Sequence, residues 1–273
     1  METKKLERII LLILVLLNLV LLFLLLRGRI EEASARRARL ESLTTLLAER
    51  GITLGPDADL EQAGLPAYTV QRDLALEDQR MQGILGAHGS EDQGGGIWYY
   101  HSERAKIVMH GTGELTILPL GAWGQRKGTP YEQAARILRS AGIECWVPPD
   151  SDPEDWDQAL CCCWEGAPVF NAVMEFGFSA KKLDVADGVT VFNRETARSD
   201  WTGMDAVSLL LSFAETVRRE GILCSRVDGL TPGYRMRVGL SGESTLEPVW
   251  RLVTDVGEFY VSGETGSIVT LAE

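Results

Sequence analysis

Residues 204–223, MDAVSLLLSFAETVRREGIL, contain the unit whose reading decides the fold. An apolar helical run ends on the basic pair Arg218 and Arg219, which the negative end of a helix dipole favours. Gly221 then stands where a left-handed helix cap belongs, and Ile222 opens strand-like sequence. The same ending occurs twice more. YEQAARILRSAG (131–142) stops at Gly142 before Ile143. IEEASARRARLESLTTLLAERG (30–51) stops at Gly51 before Ile52, with Ile30, Ala33, Leu40, Leu43 and Leu47 approximating an apolar stripe. Three helix-Gly-Ile junctions, each followed by strand-like sequence, predict an α+β fold of repeated helix plus antiparallel-sheet units. The spacings between the glycines, 91 and then 79 residues, are too uneven for a solenoid.

The strand regions turn back on themselves. IWYYHSERAKIVMHGTGELTILPL (97–120) has a turn at Gly111-Thr112-Gly113, and ALCCCWEGAPVFNAVMEFGFSAKKLDV (159–185) has one at Glu165-Gly166. PVWRLVTDVGEFYVSGETGSIVTL (248–271) is read as a three-stranded antiparallel meander, broken at Val256-Gly257 and Glu264-Thr265-Gly266. The weakest order is expected at HGSEDQGGG (88–96) and PPDSDPEDWD (148–157).

Ahead of all this lies IILLILVLLNLVLLFLLL, Ile9 to Leu26. As a helix this run spans roughly 27 Å, close to the ~30 Å hydrocarbon core of a bilayer. Lys4, Lys5, Arg8, Arg27 and Arg29 flank it and can snorkel to the two interfaces. A signal peptide has a shorter apolar part, and the small-residue pattern Ala33-Ser34-Ala35 sits well downstream of the run. An uncleaved anchor is therefore expected. The basic residues alone favour the opposite orientation, three before the run against five after it, but long domains translocate largely regardless of charge. The organisation expected is a cytoplasmic tail (1–8), a transmembrane helix (9–27), a juxtamembrane helix (28–50) and an extracytoplasmic domain (51–273), divisible at 51–125 and 130–273.

Charge separates the parts. Residues 1–50 carry nine Lys/Arg against six Asp/Glu, residues 51–273 eighteen against thirty-three, for net charges of +3 and −15 within the total of −12. An acidic domain is repelled by nucleic acid and by anionic lipid, so neither is expected as its ligand. The acidity by itself serves solubility.

Five cysteines, Cys145, Cys161, Cys162, Cys163 and Cys224, form no CxxC pair and no disulfide framework. On an extended strand Cys161 and Cys163 share one face and Cys162 takes the other. Beside Leu160 and Trp164 they read as small core hydrophobes, with a redox or metal role as the competing account.

Catalytic motifs are mostly missing: no GxSxG, no GxxxxGK[ST] and no HExxH occurs. His88, His101 and His110 fall in one loop-hairpin region and read as loop and strand histidines rather than metal ligands. Gly94-Gly95-Gly96 precedes a strand, not the helix that phosphate binding requires. Asp150, Asp152, Glu154, Asp155 and Asp157 offer oxygen ligands for calcium, but Pro153 and the missing glycine break the EF-hand pattern, and Asp155 is instead a candidate helix N-cap or loop solvator. No catalytic, cofactor or metal residue is assigned, and no cofactor is expected. Asn18, the polar residue within the apolar run, is either the candidate contact to a partner helix in the membrane or a residue merely tolerated there.

The order of parts resembles the two-component regulatory proteins YycI and, more distantly, YycH. The residues that carry this are Leu16-Leu17-Asn18 in the anchor, ERGITL (49–54), GELTI (113–117), GYRM (233–236) and PVWRLVTDVGEFYVSGETGSI (248–268), the last also similar to a PepSY-type strand and turn. The resemblance covers most of the chain in layout. It implies a membrane-anchored extracytoplasmic protein that contacts a WalK-like sensor histidine kinase, and a YycH-like protein as a further partner, without catalytic residues. The CCC run and the acidic loop depart from it. The competing expectations are an envelope-assembly or PepSY-like inhibitor module that binds an enzyme, and a cysteine-dependent enzyme.

Overall fold

The computed structural model describes residue 14 and residues 41–121, 128–149, 151–179, 182–191, 193–239 and 242–271. The expected span, Leu14 excepted, Asn18 and the start of the juxtamembrane helix lie outside these residues. Among the described residues no helix is long and apolar enough to cross a membrane.

The chain forms two compact units, Met1–Thr53 and Leu54–Glu273. In the first, residues 41–49 are helical (α1) with Leu43 and Leu47 buried. The helix closes as its sequence predicts: Gly51 takes a φ of 80°, and the Ile52 N–H donates to the Leu47 carbonyl at 2.9 Å.

The second unit is α+β, built on one mixed sheet. Its longest path runs β11 (Asn193–Thr202), β2 (Pro66–Arg72), β13 (Glu243–Thr254), β12 (Arg226–Val238), β9 (Ala167–Ser179), β10 (Lys182–Val189), β6 (Glu114–Pro119), β5 (Ala105–Met109), β4 (Ile97–His101) and β3 (Gly89–Gly94). Strands from early and late sequence interleave, with β2 lying between β11 and β13. The closing meander forms as expected, β13 pairing β14 (Gly257–Ser262) and β14 pairing β15 (Ile268–Val269). Off the path, β7 (Cys145–Trp146) pairs β8 (Asp157–Trp164), which pairs β9. The expectation of antiparallel-sheet units fails where β12 reaches β9. β12 meets β9 in parallel at Tyr234 and Val169, and only a glycine at 233 allows this approach, since a Cβ there would lie 2.5 Å from both the Phe170 ring and the Pro168 carbonyl.

Helices α2 (Leu74–Leu85) and α3 (Pro130–Ser140) supply Met81, Ile84, Leu85, Ala134, Ala135 and Leu138 to a core shared with Tyr100, Ile107, Leu160, Phe176 and Leu246. Thr129 and Glu132 form a reciprocal capping box at the start of α3. Helix α4 (Ala206–Glu220) covers a second face, with Phe213 against Phe259 at 5.5 Å and the Trp250 indole N–H donating to Met204 at 3.2 Å. It ends on left-handed Gly221 as read from sequence.

One loop reading is corrected and another is decided. Residues 89–94 form strand β3 rather than a weakly ordered loop, because five cross-strand partners on the aromatic strand β4 outweigh their poor strand propensity. Gly94, Gly95 and Gly96 then make the hairpin turn, each at positive φ. Of the two roles open to Asp155 the structure takes the loop one, since the residue caps no helix. Its carboxylate accepts from the Asp157 N–H at 3.3 Å where β8 begins, and the buried Gln158 amide ties the loop down through the carbonyls of Asp152 (2.9 Å) and Asp155 (2.7 Å).

Candidate functional site

A cleft of about 300 Å³ lies in the second unit between β7, β8 and β9 on one side and β13 and β14 on the other. Strand alternation assembles it. On β13, Trp250 and Leu252 turn to the α4 face, so Arg251 points the opposite way, into the cleft with Tyr260 and Glu258 of β14. On β8, Leu160 and Cys162 belong to the core while Ala159 and Cys161 form the cleft floor with Val173. Trp146 walls one side, its ring edge-on to Phe170 at 6.1 Å, and Phe170 meets Tyr260 at 5.2 Å.

Arg251 is 5% exposed. A guanidinium so buried needs a partner, and Glu258 supplies one bidentately, by a 2.9 Å contact from Nε to Oε2 and a second from Nη2 to Oε1. The guanidinium carbon also sits 5.4 Å from the centre of the Trp146 ring, a cation–π geometry worth about 0.5–2 kcal/mol. Burial raises the Tyr260 phenol above its ordinary value, with the Glu258 charge adding to it.

The thiol beneath is held neutral. Burial first, then the neighbouring thiols, raises Cys161 far above the usual range, and its Sγ donates to the Val169 carbonyl at 3.0 Å. Burial likewise pushes Cys162 and Cys163 up to about 12. These values keep the three thiols protonated at rest, without the standing thiolate of a low-pKa catalytic cysteine or of a metal ligand. Cys161 and Cys162 behave as the core hydrophobes their strand setting implies, at 5% and 0% exposure. Cys163 is only half-buried, and a register shift in the β8–β9 pairing between Cys161 and Cys163 interrupts the regular ladder across the run.

A second hollow, of about 420 Å³, lies near Glu114, Asn171, Arg235 and Arg237. Several of its polar groups are engaged: Asn171 bridges the Met236 N–H and carbonyl at 2.8 and 2.7 Å, and Arg235 holds Glu247 and the Thr270 carbonyl through its terminal nitrogens, while its buried Nε has no hydrogen-bond partner among the described residues.

The sequence-level candidates scatter. His88 is pinned by Gly86 and Asp78, while His101 and His110 face Glu91 at 3.7 Å and Glu114 at 3.9 Å, so each histidine has its own neighbours. Among the described residues no three His, Cys, Asp or Glu side chains converge as a metal site requires. Asp150 and Asn18 lie outside those residues. Sequence reading passed over every wall of the cleft, although one signal was available: a lone arginine in the apolar strand PVWRLV demands a buried partner.

Chemically, the cleft suits one apolar or aromatic side chain laid between Trp146 and Tyr260, with the Arg251–Glu258 pair at its edge to meet a polar neighbour. Trp, Tyr and Arg are the residues that dominate protein-binding hot spots.

No model of a known protein family matches the chain, and no curated protein matches it in sequence. Among solved structures it is similar to an uncharacterized protein from Eubacterium rectale ATCC 33656, at 10% identity and a TM-score of 0.46, over 80% of this chain and 90% of that one.

Proposed function

We propose that this chain is a membrane-anchored extracytoplasmic regulatory protein that binds and modulates a WalK-like sensor histidine kinase of a two-component system controlling cell-wall metabolism, and that it performs no catalysis of its own. The observation that carries the reading is the union, in one chain, of the apolar run Ile9–Leu26 with a domain whose cleft is walled by Trp146, Tyr260 and Arg251. The resemblance of ERGITL, GELTI, GYRM and the closing meander sequence to YycI supports it. In this reading the kinase, or a YycH-like protein bound with it, lays a side chain into the cleft. Asn18 pairs with the kinase's transmembrane helices, where small and polar contacts rather than apolar ones decide association.

The test is a photocrosslinking residue at position 146 of the full-length chain, irradiated in intact membranes. A trapped sensor kinase, lost on Asn18→Leu, is the expected result. A trapped hydrolase or protease would replace this reading by the inhibitor-module one. Protease added outside spheroplasts should also degrade the domain beyond Gly51, and full protection would reverse the topology.

A further inference from the structure

The cysteines do more than fill space at one point. β7 and β8 pair antiparallel with Cys145 directly opposite Cys162 and Trp146 opposite Cys161. The next pair outward, Glu144 and Cys163, is bonded through the Cys163 N–H to the Glu144 carbonyl at 2.9 Å. Hydrogen-bonded and non-hydrogen-bonded pairs alternate along an antiparallel ladder, so Cys145 and Cys162 occupy the non-hydrogen-bonded position. Residues paired there have Cα atoms roughly 4.5 Å apart and side chains on the same face. That spacing falls within the roughly 4.4–6.8 Å that disulfides span. The shared face is the core side, where Cys162 belongs to the buried cluster and Cys145 packs against it.

We propose that Cys145 and Cys162 are a dithiol site that a thiol–disulfide oxidant converts to a cross-strand disulfide. Burial assigns the roles. Cys145 is half-buried and reachable, while Cys162 is fully buried, so Cys145 attacks first and Cys162 resolves. The Cys145 thiolate attacks one sulfur of the oxidant's disulfide, forming a mixed disulfide and expelling one oxidant thiol. Cys162, giving up its proton as it reacts, then attacks the Cys145 sulfur and expels the second. The protein loses two electrons and two protons, and the oxidant's disulfide gains both pairs as two thiols. Burial raises the Cys145 thiol and the nearby Arg139 charge opposes that rise, which favours it as attacker over the three thiols of β8. The consequence reaches the cleft: β7 is two residues long and among the described residues pairs only with β8, so the bond would pin Trp146 in place over Arg251.

The experiment uses the full chain in detergent, exposed to oxidised glutathione, then denatured, alkylated with N-ethylmaleimide and cut after glutamate. Cleavage at Glu144, Glu154 and Glu165 leaves Cys145 on one fragment and Cys161, Cys162 and Cys163 on another. The expected product is the two fragments joined, with the alkyl groups on Cys161 and Cys163, and loss of the joined species in Cys145→Ser. A link through Cys161 or Cys163 overturns the proposal. So does a mixed disulfide with glutathione at Cys145 that never resolves, or recovery of all four thiols alkylated.

Discussion

Two buried ion pairs show how one interaction serves opposite ends. At the α2 face of the core, Glu77 is wholly buried and receives three hydrogen bonds, two from Arg72 at 2.7 and 2.8 Å and one from the Tyr100 hydroxyl at 2.8 Å. At the cleft the order is inverted. There the Arg251 side chain is buried at 6% exposure and the carboxylate of Glu258 is 42% exposed. A fully enclosed carboxylate with every partner inside the fold is spent on stability, because removing a donor or the acceptor strands a charge. A half-exposed glutamate that holds an arginine under an aromatic ring keeps its carboxylate edge open to solvent.

The sharpest test of that contrast removes the enclosed carboxylate. Glu77→Ala should destabilise the domain by about 3–5 kcal/mol in urea unfolding, since it leaves Arg72 without its counter-charge. Arg251→Ala should cost far less, because Glu258 can rehydrate. Equal losses from the two would erase the distinction drawn here.

On the binding side the order should reverse. Trp146→Ala should weaken capture of the proposed kinase partner by about 2 kcal/mol, roughly thirtyfold, as expected for an aromatic hot spot, while unfolding moves by less than about 1 kcal/mol. Glu77→Ala, assayed at a temperature where it remains folded, should bind normally.

Alkaline titration separates the two sites through their tyrosines. Burial, and then the bond to Glu77, raises Tyr100 above its ordinary value in the folded state. A raised folded-state pKa means the stabilisation is complete below about pH 10 and is lost as pH climbs above it toward the folded value. Tyr100→Phe should therefore flatten the alkaline limb of a stability–pH curve, and Glu77→Gln should lower the Tyr100 pKa in a phenolate absorbance titration while leaving Tyr260 unchanged.

The smallest effect concerns thiols. In the native reduced chain Cys161 and Cys162 should resist maleimide until denaturant is added, and only the half-buried Cys145 and Cys163 should label slowly. Fast native labelling of Cys161 would turn the cleft floor back into a candidate for thiol chemistry.

What was legible beforehand was local. Gly51, Gly142 and Gly221 end their helices, Gly111–Gly113 and Glu165-Gly166 turn their hairpins, and residues 248–271 fold back on themselves, because each of these depends on the φ range and hydrogen bonding of a few neighbouring residues. Helix α2 escaped notice for the same reason in reverse. Its buried stripe, Glu77, Met81, Ile84 and Leu85, begins with a charged residue whose acceptability rests on Arg72 and on Tyr100, twenty-three positions away. Strand β3 needed β4, and the parallel contact of β12 with β9 needed the missing side chain at Gly233.

The sequence by itself determined the class of fold, the positions of its turns and helix ends, and the apolar run at the N-terminus, since propensity, periodicity and cap chemistry act over a few residues. Only the tertiary structure decided which carboxylate is enclosed and which is presented, and that Trp146, Phe170, Arg251 and Tyr260 share one cleft. Those residues come from strands far apart in the chain, and their meeting depends on sheet order and strand register, which no short window contains.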